Sequence, residues 1–477
     1  MLSFEEYRRH DAMGLAQRVA SGDSSAEELL ETAIRRAEAV NPLINAISQR
    51  HEELARETIR AGLPEGPFTG VPFLLKDVSI QLAGTETSNC SKLFAGSVAQ
   101  VDSTLVERYK RAGLVIFGKT NTPEMGLAAS TETALHGTTR NPWNAERTSG
   151  GSSGGTAAAV AAGIVPAAQG SDGGGSIRIP ASCCGLFGLK PTRARTPLGP
   201  LVGESWGSMG VVHVLTRSVR DSAALLDATH GPAPGDPYAA PAVSRPYLQE
   251  VGADPGRLRV ALQLRPLSGS PVDAECIAAA RAAAELLSGI GHAVEEAQPP
   301  GDAEQLGRAA WALVATGVSA SLHRRAAVLG RELREDDVEP VTWRAVRHAA
   351  TLSALDHANA LATIHQHGRR MAAFHDRYDV VLSPTLGQVP VPLGPQRMSN
   401  PDLDAYTAAL LRFTPFCNLF NMSGEPSMSV PLHWSAEGLP VGVLFSAAFG
   451  REDLLFRLAG RLEEARPWFD RVPAAPG

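Results

Sequence analysis

Short apolar runs alternate with helix-like stretches along most of the chain. The runs have the length and β-branched content of buried strands, which are predicted within residues 70–77, 114–117, 259–262, 379–385 and 441–445. Between them, residue spacing and composition predict helices within residues 24–37, 104–112, 156–163, 273–289 and 452–465. This alternation of helix and strand predicts an α/β fold.

The most helical part of the chain is predicted between about residue 270 and residue 377. Asp273 stands at the expected N-cap of its first helix. Residues 231–255 are rich in Pro, Gly and Ala, which is typical of a connector on the surface. Because no internal repeat or low-complexity tract divides the sequence, we interpret residues 1–477 as a single domain. The segment at about 270–377 is then a helical elaboration of it.

Composition and charge limit the classes of function to consider. The chain has 477 residues, of which 44% are hydrophobic and 20% are charged, as is ordinary for a globular protein. Its formal net charge of −6 argues against nucleic-acid binding, which usually goes with a basic surplus. We therefore expect no nucleic-acid partner.

The sequence also gives no sign of a membrane or secretory protein. The longest stretch of small apolar residues, 157–168, contains Gly163 and Pro166 and is too short to cross a bilayer. The first residues are polar and acidic, which does not fit a signal peptide. The five cysteines are odd in number, and the adjacent Cys183 and Cys184 do not have a zinc-site spacing. These features predict a cytoplasmic location without a membrane partner.

Two local motifs match functional patterns but lie in the wrong context. Residues 113–120 fit the phosphate-loop pattern GxxxxGK[ST], yet their four variable positions are strand residues. We interpret them as a buried strand that Gly118 ends. Residues 151–155 fit the nucleophile-elbow pattern GxSxG, but a polar segment precedes them, whereas an elbow follows a hydrophobic strand. No HExxH zinc motif occurs.

The stronger signal is a pair of glycine–serine loops, residues 149–155 and 171–176, on either side of an alanine-rich helix. Glycine permits positive φ and close approach of the backbone to a ligand. The N–H groups of Gly173, Gly174 and Gly175 can form a nest for negative charge, with a serine hydroxyl beside it. The residues alone also allow a second interpretation, in which both loops are ordinary turns between core elements.

The sequence in and around these loops resembles the amidase signature family. The similarity is carried by residues 150–163, 174–181 and 184–192, and by the separation of 24 residues between Ser152 and Ser176. Shorter matches lie at residues 70–77, 118–124, 420–424 and 438–442. The resemblance covers nearly the whole chain. It implies a large mixed β-sheet covered by helices on both faces.

The resemblance also implies a catalytic Ser-cisSer-Lys triad. It assigns the base to Lys76, the proton relay to Ser152 behind a cis Gly151–Ser152 peptide bond, and the nucleophile to Ser176. Backbone N–H groups of residues 173–176 would hold the oxyanion, and Ser153 would support the site. The implied reaction is hydrolysis of a small-molecule carboxylic amide to acid and amine, with no metal and no organic cofactor.

The chemistry of such a triad is coherent. A free lysine has a pKa of roughly 10.4 and is a poor base at neutral pH, but burial lowers that pKa. Neutral Lys76 could then accept a proton from Ser152 while Ser152 accepts one from Ser176. The activated Ser176 would attack the amide carbonyl. The alternative for Lys76 is a surface cation at the end of a strand.

Some positions near the loops need a separate interpretation. The family commonly has Thr or Ile where Gly173 stands, so the loop is expected to be more flexible or to leave more room for substrate. Asp172 and Arg178 flank the second loop, either as a pair that braces it or as a solvated charge pair. Glu425 stands where most members have Gln, and no role is assigned to it.

Within the family, the chain looks like the 6-aminohexanoate cyclic-dimer hydrolase-like amidases on residues 120–126, 140–144, 214–221 and 235–241. We therefore expect a small to medium, uncharged or apolar amide, linear or cyclic, as the substrate. The alternative is a glutaminase subunit of a tRNA-dependent amidotransferase complex, although apolar Ile179 stands where such subunits usually carry Gln. A non-catalytic binding protein is a third interpretation, and a homodimer is left open.

Overall fold

An eight-stranded mixed sheet lies at the centre of the computed structural model, which describes residues 2–474. The strands of this sheet and of the smaller sheets are β1 (Ile47–Arg50), β2 (Pro72–Lys76), β3 (Val115–Thr120), β4 (Glu132–Thr133), β5 (Gly137–Thr138), β6 (Arg140–Asn141), β7 (Asn144–Thr148), β8 (Ala167–Asp172), β9 (Phe187–Lys190), β10 (Val211–Thr216), β11 (Arg259–Leu262), β12 (Ala293–Glu296), β13 (Val380–Pro384), β14 (Ser427–Trp434) and β15 (Pro440–Ala447). The helices are α1 (Phe4–Arg8), α2 (Ala12–Ser21), α3 (Ala26–Ile44), α4 (Glu52–Arg60), α5 (Thr104–Arg111), α6 (Gly154–Ala161), α7 (Arg178–Cys184), α8 (Val219–Thr229), α9 (Ala274–Gly289), α10 (Ala303–Val328), α11 (Pro340–Ala349), α12 (Ala354–His375), α13 (Leu403–Phe413), α14 (Asn418–Ser423) and α15 (Glu452–Ala465).

The central sheet has the strand order β12-β11-β13-β15-β14-β9-β10-β8. Strand β11 pairs in parallel with both of its neighbours, and the other pairs are antiparallel. A separate three-stranded sheet has the order β1-β3-β2. The predicted α/β class and large mixed sheet are confirmed.

Helices cover both faces of the central sheet. In β15, Val443 and Phe445 belong to an apolar cluster with residues of α8, α9 and α15, whereas Leu444 belongs to a second cluster with residues of α3, α6 and α7. Alternating residues of a strand point to opposite faces of a sheet, so each face has its own core. Strands buried on both faces read as continuous apolar runs, which is the pattern seen in the sequence.

Helix α6 joins the two sheets next to the glycine–serine loops. Thr156 Oγ1 lies 2.8 Å from Thr120 Oγ1 of β3 and donates to the Gln169 carbonyl of β8 at 2.9 Å. Every residue of α6 is buried, and its small side chains let neighbouring backbone come close. A Cβ added to Gly155 would lie 2.5 Å from the backbone N and O of Asn121. The helix therefore holds the loop before it against both sheets.

Several element boundaries differ from the predicted ones. Strand β3 extends through Gly118, which lies within the strand and does not end it. Asp273 occupies the N-cap position of α9, but its side chain makes no capping hydrogen bond. The sequence pattern also does not predict β9, β10 and β14, or the first two helices.

Helices α10, α11 and α12 lie within the segment expected to be mostly helical. The single-domain organisation, with this segment as an elaboration, stays a prediction. None of the helices within residues 2–474 combines the length and the hydropathy needed to cross a bilayer.

Replacing Gly155 with Ala is expected to destabilise the fold, because the added Cβ would overlap backbone atoms that cannot move aside. Overpacking of this kind costs about 1–3 kcal/mol. Gly307→Ala is the matched control, since Gly307 is exposed in α10 and has no atom within 4 Å of its added Cβ. The control should be neutral or should stabilise by up to ~1 kcal/mol. Urea titration compares the two free energies of unfolding, and an equal effect in both variants would contradict the tight packing of α6.

Candidate active site

Lys76 is the last residue of β2, and its side chain is fully buried. Its Nζ lies 2.7 Å from Ser152 Oγ and 3.0 Å from Ser171 Oγ. Its backbone N–H donates to Gln169 Oε1 at 2.7 Å, which connects the end of β2 to β8. The alternative of a surface cation is therefore wrong.

The surroundings of Lys76 favour its neutral form. Both hydrogen-bond partners of its Nζ are hydroxyl groups. Burial lowers the pKa of the Lys76 side chain to about 7, against the charges of Asp172 and Cys90, which raise it. The physical cause is that a buried ammonium loses its hydration. A lysine in this state exchanges a proton readily at neutral pH.

The loop between β7 and α6 carries Ser152 and Ser153. The Gly151–Ser152 peptide bond is cis, as the resemblance implies, and Ser152 C=O accepts from Thr122 Oγ1 at 2.8 Å. Ser153 N–H donates to Ser176 C=O at 3.2 Å, and Ser153 Oγ donates to Ser171 C=O at 3.2 Å. Ser153 thus connects the two glycine–serine loops through the backbone of the second, as expected of a supporting residue.

Ser176 is half-buried near the end of the second loop. In the part of the chain that the structure describes, its hydroxyl makes no hydrogen bond, and neither do the N–H groups of Gly173, Gly174 and Ser176. Gly175 differs, because its N–H donates to Asp172 Oδ1 at 2.7 Å. Because the Gly175 N–H group is already bonded, only those of Gly173, Gly174 and Ser176 remain from the four that were expected to hold the oxyanion.

Asp172 and Arg178 form a fully buried, bidentate ion pair beside the second loop. Arg178 Nη2 donates to Asp172 Oδ1 at 2.8 Å, and Arg178 Nε donates to Asp172 Oδ2 at 2.9 Å. The carboxylate also accepts from Gly175 N–H (2.7 Å), Ile177 N–H (3.1 Å) and Asn421 Nδ2 (2.8 Å). Burial alone would raise the pKa of the Asp172 carboxyl, but the charge and the hydrogen bonds of Arg178 hold that pKa well below its usual value. This geometry fits a bracing pair, and the alternative of a solvated pair is wrong.

The chain is similar to known amidases over nearly its whole length. A sequence profile of the Amidase family matches residues 28–456. A 6-aminohexanoate-cyclic-dimer hydrolase from Pseudomonas sp. (strain NK87) is 41% identical over 97% of this chain and 96% of the relative. An acylamidase from Rhodococcus erythropolis is 35% identical over 97% of each chain. The solved structure of 6-aminohexanoate cyclic dimer hydrolase complexed with substrate has a TM-score of 0.93 and 39% identity, over 98% of this chain and 100% of that one.

The chain belongs to the amidase signature family. The predictions of an amide-hydrolysing enzyme and of a small-molecule amide substrate are confirmed at the level of the family. The likeness to the 6-aminohexanoate cyclic-dimer hydrolase-like amidases is confirmed as well. The glutaminase alternative is disfavoured, because the glutamyl-tRNA(Gln) amidotransferase component from Thermotoga maritima is a distant neighbour. That component has 26% identity and a TM-score of 0.73, over 98% of this chain and 95% of that one.

In this amidase the structure adds residues that the sequence analysis does not single out. Ser171 is the second hydroxyl at Lys76 Nζ, and Gln169 holds the Lys76 backbone. They stand two positions apart on β8, so their side chains share one face of the strand. Asn421 donates a hydrogen bond to Asp172 and so belongs to the same network. The family match at residues 420–424 is the sequence feature that could have pointed to it.

Gly173 gives the amidase no spare room beside the second loop. A Cβ added to Gly173 would lie 2.5 Å from the six-membered ring of Trp206, which is closer than real side chains approach. The expectation that the missing side chain leaves more space for substrate is therefore wrong. The reason is that an aromatic ring from a later part of the chain occupies that space.

Glu425 lies outside the lysine–serine group. Its carboxylate is buried, accepts from Ser423 Oγ at 3.1 Å and lies 3.5 Å from His375 Nε2 at the end of α12. Burial alone would lower the pKa of His375, but the nearby Glu425 carboxylate outweighs burial and raises that pKa. Glu425 thus belongs to a contact between α12 and the segment after α14.

Among residues 2–474, one group of side chains has atoms close enough together to bind a metal ion. Asp77, Cys90 and His136 place their possible ligand atoms within 4.8 Å of one another. The Asp77 carboxylate, however, already accepts from Ser88 N–H (3.0 Å), from Ser88 Oγ and from Gln49 Nε2 (2.9 Å). Burial raises the pKa of the Cys90 thiol well above its usual value, which opposes formation of a thiolate ligand. We interpret the group as a hydrogen-bonded anchor for the segment after β2.

Arg178→Ala is expected to lower the free energy of unfolding by about 3–5 kcal/mol, because it leaves the buried Asp172 carboxylate without its counter-charge. Arg461→Ala is the matched control, since Arg461 forms an exposed pair with Glu464 at 2.9 Å. Such surface pairs contribute about 0–1 kcal/mol. Denaturant unfolding of both variants measures the difference. If Arg178→Ala costs no more than the control, the buried pair does not brace the loop.

Proposed function

We propose that this amidase uses Ser176 as the nucleophile, Ser152 as the proton relay and Lys76 as the base in hydrolysis of a carboxylic amide to acid and amine. The observation that carries the proposal is the buried contact of 2.7 Å between Lys76 Nζ and Ser152 Oγ. A lysine whose pKa is lowered toward neutrality can remove a proton from the hydroxyl it contacts.

In the first half of the reaction, neutral Lys76 takes the Ser152 proton while Ser152 takes the Ser176 proton. Ser176 Oγ then forms a bond to the carbonyl carbon, and the carbonyl oxygen becomes an oxyanion. The N–H groups of Gly173, Gly174 and Ser176, which make no hydrogen bond within residues 2–474, are the donors that stabilise it.

In the second half, the relay runs in the opposite direction. Lys76 returns its proton to Ser152, and Ser152 protonates the leaving nitrogen as the carbon–nitrogen bond breaks. The amine departs and leaves an ester on Ser176 Oγ. A water molecule, deprotonated through the same relay, then hydrolyses the ester, so the acid is released and the starting protonation state returns.

The surroundings of the loops support an uncharged or apolar substrate of small to medium size, linear or cyclic. Met125 belongs to an apolar cluster with residues of α10 and α11, and Trp206 packs against the same cluster. Met125 precedes Gly126, whose added Cβ would lie 3.2 Å from Ser152 Oγ, and Trp206 lies against Gly173. Apolar surface therefore lies against the second loop, and an apolar residue precedes the glycine that lies beside Ser152. The activity named for the cyclic-dimer hydrolase relative supports the inclusion of cyclic amides.

The location and assembly of the enzyme form a further part of the proposal. We expect it to act in the cytoplasm, without a nucleic-acid partner, as a monomer or a homodimer. All five cysteines are free and buried, which supports a reducing compartment. Light scattering of the purified enzyme would distinguish the two assemblies.

Ser176→Ala is expected to lower kcat by at least about four orders of magnitude, because it removes the nucleophile. Ser288→Ala is the control, since Ser288 Oγ bonds only to a carbonyl of its own helix, Ala284 C=O at 3.0 Å. Mass spectrometry of wild-type enzyme mixed with substrate should detect an acyl group on Ser176. EDTA should not change the rate. Near-normal turnover by Ser176→Ala would show that another residue is the nucleophile.

The value of kcat/KM is expected to rise with pH and to level off above about pH 7, because Lys76 acts only in its neutral form. Its pKa of about 7 means that protonation removes the base as the pH falls. Below that pKa the rate should drop about tenfold for each pH unit. Initial rates with a neutral amide, which has no titrating group of its own, measure the profile. A rate that falls as the pH rises through neutrality would contradict Lys76 as the base.

Glutamine is expected to be a poor substrate compared with short aliphatic, aryl or cyclic amides. Buried Ile179 packs on the second loop, where its Cδ1 lies 2.7 Å from the position of an added Gly175 Cβ. We expect this apolar residue beneath the loop to offer a polar glutamine side chain no hydrogen-bond partner, and such a mismatch is costly. Comparison of kcat/KM across the panel tests this expectation. If glutamine were the best substrate, the amidotransferase alternative would regain support.

A further inference from the structure

The indole ring of Trp206 lies between two glycines of different elements. A Cβ added to Gly173 of the second loop would lie 2.5 Å from its Cζ3, and a Cβ added to Gly317 of α10 would lie 2.9 Å from its Cδ1. The benzene edge of the ring thus contacts the oxyanion loop, and the pyrrole edge contacts α10. Both contacts exist only because both positions lack a side chain.

The segment that carries Trp206 has an unusual backbone. Trp206 has φ +53° and Gly207 has φ +63°. A bulky residue rarely adopts positive φ, and such residues concentrate at functional sites. A Cβ added to Gly207 would lie 3.0 Å from side-chain atoms of Leu313 and Leu361, so helices α10 and α12 hold this turn in place.

The ring is half-buried, although it packs against two apolar clusters. Its Nε1 makes no hydrogen bond within residues 2–474 and is not among the buried unpaired atoms, so part of the ring faces open space. The half-buried ring therefore presents apolar surface beside the proposed oxyanion donor Gly173.

We propose that Trp206 is a specificity-determining residue, whose indole ring forms the wall beside the carbon next to the scissile carbonyl. This wall selects amides whose acyl chain is unbranched at that carbon. The inference rests on the proposed roles of Ser176, Ser152 and the oxyanion loop.

The assignment to the acyl side follows from the direction of proton transfer. The leaving nitrogen has to face Ser152, because Ser152 protonates it. With the carbonyl oxygen at the N–H groups of the second loop, the acyl carbon is the substituent that remains for the wall at Gly173. A straight methylene chain lies flat on an aromatic face, whereas a branch at its first carbon meets the ring.

Two isomeric amides test the wall without a change in composition. Hexanamide is unbranched next to the carbonyl, and 2-ethylbutanamide contains the same atoms with a branch at that carbon. Wild-type enzyme should prefer hexanamide, and Trp206→Ala should shift the ratio of the two kcat/KM values by about tenfold or more toward the branched isomer. An unchanged ratio would overturn the proposal.

A second pair of isomers tests the side of the substrate. N-propylhexanamide and N-isopropylhexanamide differ only in branching of the amine. Their kcat/KM ratio should stay the same in Trp206→Ala. If this ratio shifts while the acyl ratio does not, Trp206 faces the leaving group and the assignment to the acyl side is wrong.

Paired substitutions test the contact itself. Gly173→Ala should reduce hexanamide turnover strongly in the wild-type background, because its Cβ meets the ring, and at least about tenfold of the loss should return when Trp206→Ala is added. Gly174→Ala is the matched control in the same loop, since its added Cβ is 3.6 Å from Asn418 Oδ1 and Trp206 is not near it. Trp206→Ala should not rescue Gly174→Ala. Equal rescue of both would contradict the specific contact.

Helix α10 supplies a test that leaves Trp206 in place. Gly317→Ala should push the ring toward the loop and lower turnover of the branched isomer more than that of hexanamide, whereas Gly307→Ala, which faces open space on the same helix, should not. Circular dichroism checks that each variant is folded. Should Trp206→Ala fail to fold, Trp206→Phe and Gly317→Ala decide the question by the same acyl ratio.

The outcomes separate this inference from the proposed function. If folded wild-type enzyme hydrolyses none of these amides or of the panel above, the proposed function fails and the role of Trp206 fails with it. If wild-type enzyme is active and the acyl ratio is insensitive to Trp206 and Gly317, only the role of Trp206 is overturned.

Discussion

The site depends on the burial of the Lys76 ammonium group, which has no carboxylate as a hydrogen-bond partner. Burial makes the charged form costly, so the pKa of Lys76 falls to about 7. Burial alone does not make a base, because Lys190 and Lys119 are also buried and have pKa values lowered to about 7 and about 8. The Lys190 ammonium donates to the Pro191 carbonyl, and the Lys119 ammonium donates to the Glu86 carbonyl and to Thr87 Oγ1 at 2.8 Å. Lys76 differs because both hydrogen-bond partners of its Nζ are serine hydroxyls and neither is a carbonyl.

The carboxylate of Asp172 opposes the neutral form of Lys76 but makes no hydrogen bond to its Nζ. Its charge raises the Lys76 pKa, yet its oxygens are occupied by Arg178 and by backbone N–H groups of the loop. The same bonds also shape the proposed oxyanion site. Gly175 N–H turns toward Asp172, and Gly175 adopts φ +133°, whereas within residues 2–474 the N–H groups of Gly174 and Ser176 make no hydrogen bond. One buried ion pair therefore lies between the proposed base and the proposed oxyanion donors.

The two glycine–serine loops and the strand before Lys76 are local patterns and could be predicted from the sequence, whereas the roles expected of Lys76, Ser152 and Ser176 came only from the resemblance to the family. The elements that escaped prediction depend on tertiary contacts. Strand β14 contains Pro431 and a register shift in its pairing with β15. The hydroxyl oxygen of its buried Ser429 lies 2.9 Å from Thr385 Oγ1. Such a strand shows neither alternation nor a continuous apolar run. The bracing role of Asn421 likewise exists only once α14 packs beside the second loop.

The role of Gly173 could not be predicted from its residue type, because it depends on a tertiary contact. The sequence suggests that glycine here serves backbone freedom or open space, but its φ is not in the left-handed region and the space beside it is filled by Trp206. Glycine is therefore required here by the ring of Trp206, which is distant in sequence but in contact with this position. Because the second loop and the indole ring share this contact, neither can change size independently. A larger residue at position 173 would displace the indole, so under the proposed roles a change at this position would alter both the oxyanion loop and the selection of substrate.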